Sequence, residues 1–329
     1  MSGRASAKAI KTKKTGVLIV NLGSPAAPTT SAVRRYLKEF LWDPRVVNLP
    51  RFLWWIILHF LVLPFRPRKA RKAYKKIWQK QGSPLVFLSQ KLVKKVAKQF
   101  DSSSHSIDCV MRYGKPSMAA KLKQYKKNKI EEIIVIPLYP QYSSTTTASV
   151  YDAVVSQLMS WRHIPSVRFV SDYHQHPLYI EAIAKSVERA WAKKGKNELL
   201  LMSFHGLPAQ LTEWGDPYFD QCHRTAELIA EALSLSSGQW KIVFQSRFGK
   251  AKWLQPYCVE VLQALPDQGI KRVDVVCPGF AVDCLETLEE IEMANKDYFM
   301  AAGGENYRYI PALNAAKQHV QLMSALIKG

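Results

Sequence analysis

Three side chains in the second half of the chain have types and spacing suited to acid–base or metal chemistry: His205, Glu286 and Glu290. His205 lies in Glu198-Leu199-Leu200-Leu201-Met202-Ser203-Phe204-His205-Gly206-Leu207-Pro208. An apolar stretch of strand length ends there in a polar pair, Ser203 and His205, and breaks at Gly206 and Pro208. The pattern predicts a buried parallel strand that releases its last side chains at the carboxyl edge of a sheet, where open α/β folds place their chemistry. Glycine frees the backbone and proline cannot donate a ladder hydrogen bond, so His205 is expected at the rim. The plainer alternative is a histidine hydrogen-bonded at a turn. A second polar knot, Gly215-Asp216-Pro217-Tyr218, precedes a helix expected from about Phe219 to Leu235.

Glu286 and Glu290 stand in Cys277-Pro278-Gly279-Phe280-Ala281-Val282-Asp283-Cys284-Leu285-Glu286-Thr287-Leu288-Glu289-Glu290-Ile291-Glu292. Four positions apart, they share a helical face, with Glu289 one position off it. Stacked carboxylates near a helix start are common on surfaces. Here the helix leaves the same sheet edge that presents His205. A histidine facing a carboxylate stack offers a path for a hard or borderline divalent cation, and equally a proton relay.

The elements that must position these groups follow one rhythm. Strands are expected at Val17 to Asn21, Ile107 to Met111, Ile133 to Ile136 and Val167 to Val170. A second set follows at Leu199 to Phe204, Ile242 to Gln245, Val273 to Cys277 and Tyr307 to Ile310, with helical stretches between them. Four and four predict an α/β chain of two doubly wound, Rossmann-like domains, each with a four-stranded parallel sheet, facing across a cleft. The hinge is expected near Asp172 to Pro177. The first strand closes on Leu22-Gly23-Ser24-Pro25 and lacks G-x-G-x-x-G, which argues against a dinucleotide site. The Ser/Thr run after Pro140-Gln141-Tyr142 could cradle an anion at a helix start, or cap that helix. His174 and His176 have no third ligand in view and read as solvated loop histidines.

Composition bounds the function classes. A chain of 329 residues with 47% hydrophobic content can bury a large core. Cys109, Cys222, Cys258, Cys277 and Cys284 are scattered without a C-x-x-C pair, which argues for a reducing compartment and against a disulfide framework. The basic, polar start has no apolar core behind it and reads as no signal peptide, and no run reaches the length of a membrane span. The net charge of +21 calls for an anionic partner. Its most distinctive setting is Phe52 to Leu63, almost wholly apolar with Trp54 and Trp55, followed by Arg66, Arg68, Lys69, Arg71, Lys72, Lys75 and Lys76. A short apolar segment beside a basic amphipathic helix suits the surface of an anionic membrane. The alternative is a buried helix followed by a solvated charge run. Nucleic acid ranks last, because the aromatics precede the bases instead of alternating with them.

Taken together, Ser203-Phe204-His205-Gly206-Leu207-Pro208, Gly215-Asp216-Pro217-Tyr218, Pro140-Gln141-Tyr142-Ser143, Arg112-Tyr113 and Asp283-x-x-Glu286-Thr287-Leu288 resemble the ferrochelatase family, in order, from about Gly16 to the C-terminus. The resemblance implies insertion of ferrous iron into protoporphyrin IX, the last step of protohaem synthesis, in a cleft between two chelatase-type α/β domains. It implies that His205 and Glu286 are the metal-site and proton-abstraction pair, with Glu286 and Glu290 as an acidic relay. Leu22, Arg112, Tyr113, Tyr142, Trp253 and Phe280 match positions lining the porphyrin pocket, and Arg66 and Lys69 match positions that meet the propionates. Protoporphyrin IX, ferrous iron and an anionic membrane surface are then the expected partners, with the preceding enzyme of the pathway as a further candidate. The expected location is cytoplasmic, peripheral at the inner face of the membrane. A non-catalytic haem or tetrapyrrole carrier on the same scaffold is the competing reading.

The chain departs from the family pattern at three places. Cys284 stands where many members carry histidine, so that ring's role does not transfer. Ala294 replaces the acid that would extend the Glu286, Glu290 stack. The chain reaches Gly329 without the cysteine-bearing tail by which some members hold an iron–sulfur cluster, so none is expected. The expected organisation is a disordered basic tail over 1–15, a first domain over 16–172 with a membrane-facing lip at 50–78, a second domain over 173–312, and a C-terminal helix over 313–329.

Overall fold

Runs such as Val17-Leu18-Ile19-Val20 and Ile133-Ile134-Val135-Ile136 are apolar on both faces because helices cover both sides of the sheet they enter. The computed structural model describes residues 13–329 apart from Phe248 and Lys250, so the first twelve positions of the expected tail lie outside the described residues. Eight strands form: β1 (Thr15–Gly23), β2 (His105–Tyr113), β3 (Glu132–Pro137), β4 (Ser166–Phe169), β5 (Leu199–His205), β6 (Trp240–Gln245), β7 (Arg272–Val276) and β8 (Asn306–Ile310). Thr15, placed at the end of the expected tail, already belongs to β1, where it aligns with His105 and Glu132.

The strands make two four-stranded parallel sheets with one topology, β2-β1-β3-β4 and β6-β5-β7-β8. In each, the chain first winds outward from the opening strand and then crosses to its other side. The switch points therefore fall between β1 and β3 and between β5 and β7. The carboxyl ends of these four strands carry Leu22, Tyr139 to Tyr142, His205 and Cys277 to Phe280, so topology alone gathers the candidate residues. Gly23 makes the exit from β1 possible. It sits at φ +112°, and a Cβ there would stand 1.9 Å from the Tyr113 carbonyl oxygen.

The two sheets share buried packing. Val17, Ile19, Ile134 and Ile136 from the first join Leu200, Met202, Phe204 and Ile310 from the second through Tyr179, Ile183 and Val187 of the helix Pro177–Lys194 and through Leu322 and Met323. The last helix, Lys317–Lys328, crosses back onto the helix Pro84–Ala97 of the first half. Arg168 of β4 caps it by donating to the carbonyls of Leu326 and Ile327.

The lip is one continuous helical run, Arg51–Ile56, a π-helical stretch Ile57–Val62, and Leu63–Ile77. Its inner face, Trp54, Leu58, Leu63, Tyr74 and Ile77, packs against Val33, Leu37 and Leu41 of the helix Thr30–Leu41. Its outer face leaves Phe52, Trp55, Phe60, Leu61 and Phe65 exposed beside the bases. The buried-helix and exposed-apolar descriptions thus each hold for one side of the same element. Among the described residues no helix is long and apolar enough to cross a membrane.

Candidate active site

His205 is the last residue of β5, and its backbone is held from two sides. Gly206 N–H donates to the Gln245 carbonyl (2.7 Å), and the Tyr218 hydroxyl donates to the His205 carbonyl (3.0 Å). Its Nδ1 lies 2.6 Å from the Gly206 carbonyl oxygen. A carbonyl can only accept, so the Nδ1 proton is fixed there and Nε2 is the lone-pair nitrogen of the neutral ring. Phe280, from the loop after β7, packs beside the imidazole with ring centroids 6.4 Å apart. The Trp253 ring lies against Gly206 on the same strand end.

The polar knot after His205 joins the two halves. Asp216 accepts from Ser143 Oγ (3.0 Å), Ser144 N (2.7 Å) and Ser144 Oγ (2.7 Å). The Ser/Thr run therefore caps the Ser144–Ala148 helical turn, with Ser143 Oγ accepting from Thr145 N–H (3.1 Å), and the anion at the helix start is the chain's own Asp216 carboxylate. Tyr142 N–H donates to Gln221 Oε1 (2.7 Å), and Gln141 Nε2 to Thr225 Oγ1 (3.0 Å), which locks the β3 loop onto the helix Tyr218–Ala232.

The acidic segment is wound as a π-helix, Glu286–Asn295, where an ordinary α-helix was expected. Its i→i+5 bonding widens the turn and is frequent at functional sites. Asp283 builds the entry. It accepts from Tyr309 Oη (2.6 Å), Asn314 Nδ2 (2.6 Å), Thr287 Oγ1 (3.2 Å) and Ala312 N (3.2 Å). The Cys284 thiol is pushed well above its ordinary pKa by burial first and then by the charge of Glu286 beside it. Glu289 turns away to an exposed ion pair with Lys76 of the lip (2.7 Å), worth little in solvent. Glu290 turns inward and accepts from Ser246 N–H (2.7 Å) and from the Ser246 hydroxyl. Burial raises its carboxyl above the usual range, against the pull of the Ser246 donors and of His205.

Glu286 is also faced by phenols of the first half. Burial first, then the charge of Glu286, drives Tyr74 well above its ordinary pKa; Tyr36 is raised by burial, Tyr74 and Glu286 in turn. Both stay neutral beside a carboxylate. Leu22 packs with Phe280, Cys284 and Leu85. His205, Phe280, Trp253, Glu286, Glu290 and Leu22 are thus brought to one locus. Arg112 and Tyr113 lie deeper, tied to Asp43 through Arg112 Nη2 (2.5 Å) and Tyr113 Oη (2.7 Å), while Ser149 Oγ donates to the same oxygen (2.6 Å). Arg66 is half-buried on the lip, and burial lowers its pKa; Lys69 is exposed on the outer side of that helix. Tyr142 is half-buried near Arg45.

A model of the family described as Ferrochelatase matches residues 14–329. The chain belongs to the ferrochelatase family. A ferrochelatase of Methylococcus capsulatus is 54% identical over 315 residues, covering 96% of each chain. One of Aeromonas hydrophila is 50% identical over 318 residues, covering 96% of this chain and 98% of its own. Two solved structures share the fold at low identity. CbiX, the terminal enzyme for biosynthesis of siroheme in denitrifying bacteria, has a TM-score of 0.52 at 14% identity, covering 95% of this chain and 98% of its own. SirB from Bacillus subtilis with Fe3+ has a TM-score of 0.54 at 12% identity, covering 96% and 94%.

Within this ferrochelatase scaffold, sequence reading missed Asp43, Ser149, Gln245, Ser246 and the Tyr36/Tyr74 pair. A signal existed for two of them. Ile242-Val243-Phe244 ends in the polar pair Gln245-Ser246 at a sheet edge, just as β5 ends in Ser203 and His205. Among the described residues no three His, Cys, Asp or Glu side chains form a ready-made metal site.

Proposed function

We propose that this enzyme, a metal chelatase of the ferrochelatase family, inserts ferrous iron into protoporphyrin IX to give protohaem. The observation that carries the reading is the convergence of His205 with Glu286 and Glu290 beside the apolar walls Leu22, Trp253 and Phe280 at two facing switch points. Metallation requires two pyrrole N–H protons to leave while a divalent ion enters a flat, rigid ring. The apolar walls bind the macrocycle, and binding at its periphery can be spent on bending it so that nitrogen lone pairs point out of plane. His205, presenting Nε2, and Glu286 serve as the metal-site and proton-abstraction pair. Glu290, behind Glu286, passes charge onward. Iron here is cargo, so a weak protein site completed by the porphyrin nitrogens suits release better than a closed cage.

The finer assignments belong to the same proposal. Arg112, Tyr113 and Tyr142 line the porphyrin site, and Arg66 and Lys69 reach its propionates. The chain comprises a first unit over 15–172 with the lip at 50–78, a second over 173–312, and a terminal segment 313–329 that carries the helix Lys317–Lys328. It works in the cytoplasm with its lip on an anionic membrane surface, from which a poorly soluble porphyrin arrives, and the preceding enzyme of the pathway is a candidate partner. The lip supports this with exposed Phe52, Trp55, Phe60 and Phe65 set among the bases.

The deciding experiment incubates purified protein anaerobically with protoporphyrin and ferrous iron or zinc and follows loss of the free-base spectrum. Turnover beyond one equivalent is expected. Binding that stops at one equivalent would instead select a tetrapyrrole carrier.

A further inference from the structure

The strand end that carries His205 and the π-helix that carries Glu286 and Glu290 are distant in sequence, and the dipeptide Gln245-Ser246 joins them. Gln245 is the register partner of His205 across β5 and β6. Its carbonyl accepts from Gly206 N–H, and the approach is so close that a Cβ on Gly206 would stand 2.6 Å from that oxygen. The Gln245 side chain is 2% exposed. Its Nε2 donates to the Glu286 carbonyl (3.1 Å) and reaches Glu290 Oε2 (3.5 Å). Its Oε1 accepts from Ser203 Oγ (2.9 Å) and faces Cys277 Sγ (3.7 Å). Each amide atom is thus committed, one to the helix and one to the sheet.

Ser246 completes the link from an uncommon backbone position. It sits at φ +65°, in the left-handed region that a residue with a Cβ rarely adopts. That conformation aims both its N–H and its hydroxyl at the Glu290 carboxylate. Unfavourable backbone geometry that persists at such a place is held by its surroundings and is a pointer to function.

We propose that Gln245 and Ser246 are positioning residues of the metal-insertion site. They fix the offset between His205 at the strand end and the acidic face of the π-helix, so that the two sides act on one porphyrin centre. Neither residue needs to touch substrate. The inference rests on the metallation reading above, and its consequence is specific: losing the link lowers the rate of the chemical step and leaves porphyrin binding to the apolar walls intact.

The test compares the parent with Gln245→Leu and Ser246→Ala in continuous zinc and iron insertion assays, alongside porphyrin affinity by fluorescence quenching and thermal midpoints. We expect kcat to fall at least about tenfold in Gln245→Leu and about three- to fivefold in Ser246→Ala, with porphyrin KM within about twofold of the parent. Combining Ser246→Ala with Glu290→Gln should cost less than the product of the single effects, because both remove the same contact. If Gln245→Leu fails to fold, Ser246→Ala and its double mutant decide alone, since Ser246→Ala keeps the backbone donor. Parent-like kcat in Ser246→Ala, a proportional rise in KM, or independent multiplying effects in the double mutant would each overturn the proposal. A parent that does not turn over overturns the metallation reading instead, which keeps the two failures distinct.

Discussion

Trp54 and Trp55, adjacent in sequence, differ in burial on the lip helix, one turned to the core and the other to solvent. Trp54 is 7% exposed and its indole N–H donates to the Leu41 carbonyl at 2.7 Å, whereas Trp55 is 45% exposed. The two substitutions should therefore separate cleanly. Trp54→Ala is expected to destabilise the fold by about 3–5 kcal/mol, read by denaturant unfolding. Trp55→Ala should leave stability within about 0.5 kcal/mol and weaken vesicle binding at every salt concentration. Equal loss of stability in both would contradict the two-faced helix.

The bases of the lip should act through a different physical term. Arg68, Lys69 and Lys72 are exposed and Arg71 is half-buried, on the helix that begins at Leu63 and carries the exposed Phe65. Attraction of such charges to anionic headgroups is screened over about 8–10 Å at ordinary ionic strength. Sedimentation with anionic vesicles should show binding of the parent that weakens steeply with salt. Replacing all four with glutamine should flatten that slope. A parent that ignores anionic vesicles at low salt would remove the lip from any membrane role.

His205→Ala should abolish turnover while porphyrin still binds, because the walls Leu22, Trp253 and Phe280 supply contact independent of the imidazole. Steady-state kinetics with fluorescence titration of porphyrin checks both halves of this expectation. Retention of more than about a tenth of kcat, a barrier change under about 1.4 kcal/mol, would take His205 out of the mechanism.

Much of this site could be read from sequence because parallel strands buried on both faces must be apolar, so a polar residue at the end of one is conspicuous. His205 was legible for that reason, and Glu286 and Glu290 because their spacing marks a shared face. What was not legible depended on partners far along the chain. The turn of Glu289 toward Lys76 and the capture of the Ser144 helix start by Asp216 need tertiary proximity. The π-winding of Glu286–Asn295 also left no periodic trace, since a spacing of four is compatible with both helical windings. Trp54 and Trp55 show the same limit, as an unbroken apolar run carries no periodicity from which to assign faces.

Asp43 should make the first half of the molecule acid-sensitive. Burial alone would raise its carboxyl. Donation from Ser149, Tyr113 and the Arg45 N–H, with the charge of Arg112, instead holds it below the ordinary value. A carboxyl depressed in the folded state contributes stability that is present above the unfolded pKa, about 3.9, and lost as pH falls through the lower folded value. Asp43→Ala removes the partner of a mostly buried Arg112 and should cost about 3–5 kcal/mol at neutral pH. The gap between parent and variant should narrow below about pH 4, as measured by urea unfolding across a pH series. A gap constant from neutral pH down to pH 2 would mean that folding does not lower the Asp43 pKa.

Cys284 is the departure from the family pattern whose consequence the geometry now defines. The side chain is 3% exposed, so it meets neither bulk solvent nor an oxidant directly. Its thiol lies in the field of the Glu286 carboxyl, and burial first, then that charge, keeps it protonated. A serine hydroxyl keeps a neutral polar group beside Glu286 in nearly the same volume, whereas alanine keeps none. Cys284→Ser is therefore expected to keep most of the activity. Cys284→Ala removes the polar group beside Glu286 and should lose a few-fold in kcat, under about 1.4 kcal/mol, with porphyrin affinity unchanged. Side-by-side insertion assays on the two variants check this, with circular dichroism to confirm that both are folded. Loss of activity in the serine variant as complete as in alanine would show that the sulfur itself is required, and a neutral polar group beside Glu286 would no longer account for Cys284.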